Sequence, residues 1–211
     1  MMKSVSVLLL SLVVLSSAQP DWWTPPDFCH GLDCPPYHVT MQDNSSGIEY
    51  RDYIPAVLAR TKIYDISYED AVHQGFDLLF DYISGNNDQN ISIEMTTPVD
   101  TQIVFSQGPF CQTLFIVSFF CPYKYQDPSN PPPKPGNPAV YIETVPEQRR
   151  AVYEFSGYVT SWAGWIQPST YLFDYLDAEN QSYNPKYEMT NEYDSPFRPI
   201  KRTNEVWATL E

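Results

Sequence analysis

The sequence predicts an α+β domain in which helices pack on a mostly antiparallel sheet. Three observations carry this. Many short β-prone runs are separated by turn residues, two stretches show helical spacing, and one string recurs. Leu79-Phe80-Asp81-Tyr82-Ile83 has a counterpart in Leu172-Phe173-Asp174-Tyr175-Leu176, each inside a strand–helix–strand stretch. That recurrence reads as an internal duplication, with units of about 48–126 and 138–208.

Taken in order, residues 1–18 read as a signal peptide. Lys3 is a positive start, Val5 to Leu15 is an apolar run, and Ser16-Ser17-Ala18 offers small residues for cleavage after Ala18. The run falls short of the roughly 20 apolar residues a spanning helix needs, and no other segment is long and apolar enough to span, so a secreted, extracellular protein is expected. Residues 19–38 form a leader rich in Pro, Trp and Cys without periodicity, read as an irregular, clipped arm ahead of a single domain at 39–211. Ile48 to Thr61 reads as one or two strands broken at Pro55. Ser67 is a helix N-cap followed by acidic Glu69 and Asp70. Val72, Phe76, Leu79, Phe80 and Ile83 keep helical spacing up to Gly85.

Ile91 to Thr96 and Thr101 to Phe105 are predicted as short strands. Gln112 to Phe120 is a strand apolar on both faces, hence buried on both. Asp127 to Pro138 is a proline-rich connection. Strands follow at Val140 to Ile142 and Arg150 to Phe155, then a helix from about Pro168 to Asp177. Strands at Tyr187 to Tyr193 and Asn204 to Leu210 close the chain.

The formal charge of −14 argues against nucleic acid and anionic membrane surfaces, both of which need a basic face; solubility in an extracellular fluid is its plainest meaning. Three N-x-S sequons, at Asn44, Asn90 and Asn180, are candidate glycosylation sites. Of four cysteines, Cys29 and Cys34 are favoured as a local disulfide. Cys111 and Cys121 bracket one apolar run; on a single strand they stand roughly 33 Å apart, beyond the about 7 Å a disulfide tolerates. They are then buried thiols, or each pairs with a leader cysteine. Signatures of the common hydrolases, zincins and phosphate loops are missing. Glu94 or Glu143 in an apolar pocket is the remaining acid–base candidate, and no catalysis is expected.

Several strings then stand together: Glu49-Tyr50-Arg51-Asp52-Tyr53, Gly75-Phe76, Glu94-Met95-Thr96-Thr97-Pro98-Val99, Phe119-Phe120-Cys121-Pro122 and Arg202-Thr203-Asn204-Glu205-Val206-Trp207. In this order and spacing the chain resembles the SOUL family of haem-binding proteins. Its leader, Cys29 to Tyr37, is similar to that of the secreted members. The resemblance implies two βαβββ pseudo-repeats forming a distorted antiparallel sheet or barrel flanked by two helices. It also implies haem or another porphyrin as bound ligand, in an apolar groove beside the first helix. Carried over position by position, the groove falls on His73, Phe76, Leu79, Phe80 and Arg198.

The family's proposed axial histidine matches Asp52, and a basic helix position matches Asp81. A carboxylate is a poor haem ligand, so the tetrapyrrole is expected to be held by ring contacts and propionate–Arg pairing, with His73 the one possible metal ligand. The expected function is a secreted, non-catalytic and monomeric carrier of a tetrapyrrole. The rivals are a carrier of another amphipathic small molecule, and an extracellular interaction module using Trp22, Trp23 or the loop at Pro131-Pro132-Pro133.

Overall fold

The computed structural model describes residues 19–105, 112–159, 161–195 and 197–211. The expected signal peptide and Cys111 lie outside these residues. Nine strands form one antiparallel sheet: β1 (Tyr37–Asp43), β2 (Ile48–Tyr53), β3 (Ala56–Asp65), β4 (Val99–Val104), β5 (Thr113–Phe120), β6 (Val140–Val145), β7 (Gln148–Phe155), β8 (Tyr187–Glu192) and β9 (Asn204–Thr209). Two helices accompany them, α1 (Tyr68–Ile83) and α2 (Trp162–Ala178). The sheet order is β1-β2-β7-β9-β8-β4-β5-β3-β6, curled into a half-barrel.

The duplication is visible in that order. One unit supplies β4-β5-β3 with α1 lying over β3 and β5, and the other supplies β8-β9-β7 with α2 over β7 and β9. Read from β3, the first unit runs βαβββ, ending in β6. The second, β7-α2-β8-β9, takes its outer neighbour β2 from the N-terminal side. The two recurring strings occupy matching turns of the helices, and Leu79 and Leu172 are both fully buried.

Helix α1 forms as its residues dictate. The Ser67 hydroxyl accepts from the Asp70 amide at 3.1 Å, Glu69 and Asp70 sit in the positive first turn, and Gly85 takes a φ of 123° just past the end. Its inner face carries Ala71, Gly75, Leu79, Tyr82 and Ile83. Gly75 lies so close to β5 that an added Cβ would stand 2.7 Å from Val117 Cβ, so a residue without a side chain sets how near the helix lies to the sheet. A fully buried Leu such as Leu79 contributes about 1.5–3 kcal/mol.

Four sequence expectations change. The leader is irregular only to Pro36, because Tyr37 opens β1, which pairs with β2. Ile91 to Thr96 is extended but joins no strand. The Asn87 side chain takes both the Ile91 amide and carbonyl, and the Ile93 amide donates to Ile83 O at 2.8 Å, satisfying groups that a neighbouring strand would otherwise need. Helix α2 begins at Trp162, six residues before Pro168, which lies inside it. The overlooked signal was Trp162, Trp165, Ser169, Leu172 and Leu176 at helical spacing, with Trp165 at the centre of the core. Finally, Trp23 is buried, its Nε1 donating to Tyr123 Oη at 2.9 Å, and Pro132 and Pro133 are buried too. That leaves Trp22 as the leader's exposed tryptophan.

Cys29 and Cys34 are bonded, with Cα atoms 6.3 Å apart, and Cys121 is a buried thiol. Burial pushes that thiol up to about 12. No helix among the described residues is long and apolar enough to cross a membrane.

Candidate functional site: an aromatic ledge on the first helix

The helical spacing that buries Leu79 turns Phe76 and Phe80 onto the flank of α1. Their rings stack at 5.7 Å with planes 13° apart, and Phe76 meets Phe119 of β5 edge-on at 5.4 Å. Phe80 remains 49 % exposed. Together they form a ledge anchored at one end to the core and open at the other. Beside the C-terminal half of α1 lies a cleft of about 250 Å³, bounded by Tyr82, Ile93, Phe119, Cys121, Tyr125 and Pro132. The proline-rich connection closes its far side, where Tyr82 Oη donates to Pro133 O at 2.7 Å. Tyr82, Phe119 and Cys121 stand in strings that the sequence singles out and Pro132 in its proline-rich connection, but that they share one cleft is decided by how that connection folds back.

The residues assigned to the groove separate. Phe76 and Phe80 share the ledge. Leu79 lies beneath it, wholly inside the core with Val117 and Phe119. His73 faces solvent, 79 % exposed, with Nδ1 3.5 Å from Asp77. Arg198 sits in the β8–β9 connection against the leader. Its Nε lies 3.2 Å from the buried Asp194 carboxylate and its Nη1 is 3.0 Å from His30 Nδ1. His30 Nε2 is 2.8 Å from Asp194; these partners assign the Nε2–H tautomer, donating to Asp194 and accepting from Arg198. The Arg198 loop reaches the cleft through one corner: Thr96, on the cleft wall, precedes Thr97, whose Oγ1 donates to Tyr193 O at 3.1 Å.

Asp52 is on β2, paired with Arg149 at 3.5 Å, in a strand flanked by β1 and β7 while α1 covers β3 and β5. Asp81 is exposed and accepts from Asn86 Nδ2 at 2.6 Å. The basic cluster of Arg198, Lys201 and Arg202 is divided, since Arg202 is buried and donates to the carbonyls of Asp194 and Ser195. Glu94 lines the cleft and Glu143 does not, and each carboxylate is held by a cation. Glu94 is bonded to Lys124 at 2.6 Å, which lowers its pKa, and Glu143 to Arg60 at 2.7 Å.

Carboxyls with raised pKa values lie elsewhere. Burial lifts Glu188, under α2, to about 7, and Asp100, on the sheet face away from the helices, to about 6. Nothing in the local sequence marks either. Among the described residues no cluster of three or more His, Cys, Asp and Glu stands close enough to hold a metal ion.

Residues 32–209 match the family model described as SOUL heme-binding protein. Heme-binding protein 2 of Mus musculus is 30 % identical over 89 % of this chain and 83 % of its own length. Heme-binding protein 2 of Homo sapiens is 31 % identical over 75 % of this chain and 76 % of its own. In fold alone, the crystal structure of the EcmrR C-terminal domain is similar, with a TM-score of 0.53 at 8 % identity, covering 78 % of this chain and 96 % of that one.

Proposed function

The chain belongs to the SOUL heme-binding protein family, and on that footing we propose that it is a secreted, non-catalytic carrier of haem or another tetrapyrrole. The observation that carries the reading is the stacked Phe76–Phe80 pair with its outer ring half exposed. A flat macrocycle gains most from a flat aromatic surface beside an apolar cleft. The cleft is closed on its far side by the proline-rich connection, leaving the exposed Phe80 as the broad surface. The macrocycle therefore lies across Phe80 with only its edge entering.

Arg198, joined to the cleft corner through Tyr193 and Thr97, is the propionate partner in this reading. A carboxylate there displaces the neutral His30 from Nη1 and leaves the Asp194 contact in place. Asp52 lies on a distant strand and His73 is turned to solvent, so neither would serve the iron of a bound haem as a ligand. Export is supported by the leader disulfide and by the three sequon asparagines, all exposed, with Asn90 and Asn180 at turn positions of positive φ.

A haem titration of the glycosylated chain from Gln19 onward, followed in the Soret band, tests this. One equivalent is expected to bind, iron-free protoporphyrin comparably, with Phe80→Ala and Arg198→Glu each weakening both about tenfold. A haem affinity far above that of protoporphyrin, surviving in Phe80→Ala, would sink the unligated-ledge reading.

A further inference from the structure

A further pocket lies on the face of the sheet turned away from α1, behind the strands that the helix covers. It lies between β2, β7 and β9 on one side and β3, β4 and β5 on the other. Its mouth is framed by Pro35 of the leader, by Ile54 at the β2–β3 turn and by Pro146 at the β6–β7 turn. The Cys29–Cys34 bond fixes the leader one residue before Pro35. The inner wall is apolar and aromatic, with Tyr53, Leu58, Phe120 and Trp207.

Two charged side chains enter this space with valences unused. Arg150 is 6 % exposed and Asp100 8 %. The Arg150 guanidinium lies between rings, 4.5 Å from the Tyr53 centroid and 4.4 Å from that of Trp207. It donates to Gln148, but its Nε–H is buried without a partner, and among the described residues it forms no ion pair. Asp100 accepts from Ser118, while its Oδ1 is buried and unpartnered. Arg150 is the strongest charge acting on Asp100, followed by Arg60, which is itself bonded to Ser118, Glu143 and Gln102. An orphan donor and an orphan acceptor, both buried in the lining of one pocket, are a costly arrangement. A ligand bearing the complementary pair relieves both.

We propose that this pocket binds a small aromatic carboxylic acid carrying a hydrogen-bond donor on the carbon next to its carboxylate, as in a 2-hydroxy or 2-amino acid. The carboxylate accepts from Arg150 Nε–H and neutralises its charge. The adjacent hydroxyl or ammonium donates to Asp100 Oδ1. The ring fills the apolar wall along Leu58 and Phe120. A cationic aromatic ligand is disfavoured, because Arg150 already occupies the faces of Tyr53 and Trp207 and repels it.

The pocket shares Phe120 with the cleft beside α1 and has no residue in common with the Phe76–Phe80 ledge, so the two are separable by experiment. Calorimetric titration with L-phenyllactate is expected to show one saturable site per chain, with 3-phenylpropionate, which lacks the donor, at least tenfold weaker. Arg150→Met is expected to abolish binding and Arg150→Lys to weaken it strongly, since lysine offers neither Nε–H nor a planar stack. If Arg150 variants do not fold, Ala56→Leu fills the pocket from its wall without touching a charge and is expected to block phenyllactate. Phe80→Ala is expected to leave it unchanged. Absence of saturation, equal affinity for the two probes, or binding that survives Ala56→Leu would each overturn the proposal.

Discussion

The two faces of the sheet are built on different principles. The face under α1 and α2 is apolar, filled by Ile48, Ile63, Phe115, Val117, Ala151, Trp165, Leu172 and Val206 and held by volume. The opposite face buries Arg51, Arg60, Arg150, Asp100 and Glu205, roofed in part by the leader through Trp23, Cys29 and Cys34. There Glu205 accepts from Arg51 Nη1 at 2.9 Å, Tyr193 Oη at 2.7 Å and Trp207 Nε1 at 2.7 Å. One side tolerates exchange of one hydrocarbon for another; the other depends on which partner each charge keeps. On the charged face Asp100 Oδ1 and Arg150 Nε keep spare hydrogen-bonding capacity, as Trp165 Nε1 does under the helices.

The largest effect expected from this contrast is at Arg51. Arg51→Met strands the Glu205 charge and is expected to cost about 3–5 kcal/mol in urea unfolding, whereas Arg51→Met with Glu205→Leu recovers most of it. A double variant no more stable than the single one would show that the face is held by more than this pair. Next is Asp100. Its native pKa of about 6 lies above the unfolded value, so the native state binds the extra proton. Its contribution to stability is full below about pH 4 and is lost as pH rises through 6. Asp100→Asn is therefore expected to be more stable than the parent by about 3 kcal/mol at pH 8, with the gain vanishing near pH 4. Melting curves at the two pH values decide it, and an equal gain at both would reject the ionisation argument.

On the apolar face, Gly75→Ala forces a methyl against Val117 and is expected to cost about 1–3 kcal/mol, read as a lower Tm. Restoration by Gly75→Ala with Val117→Ala would establish the clash as the cause. The smallest effect belongs to the cap: Ser67→Ala is expected to lose about 1 kcal/mol, and Ser67→Asp to keep it.

The same contrast decides how much could be read from the chain. Helix α1 was legible because an N-cap, acidic first turn, apolar stripe and terminal glycine all agree, and β5 because both its faces are apolar. Phe76 and Phe80 were legible as residues on one helix flank, and their split from Leu79 follows from where the sheet lies. The charged face was not. Arg51 and Arg60 alternate with apolar residues, a pattern that ordinarily marks the solvent side of a strand. Here the curl of the sheet and a leader tens of residues away convert that side into interior. Asp100 and Arg150 line one pocket only because β4 and β7 face each other across that curl, a juxtaposition that no local spacing encodes.

The position of β9 has a consequence in time. It is the last strand made, yet it lies inside the sheet between β7 and β8, bonding Val152 to Trp207 on one side and Thr190 to Val206 on the other. While the chain is still emerging, β7 and β8 have open edges facing each other across a gap one strand wide. The two halves join only when β9 is available, so the sheet closes after its other eight strands have been made. Until then those edges are templates for any passing strand, and loss of β9 removes a keystone from between β7 and β8.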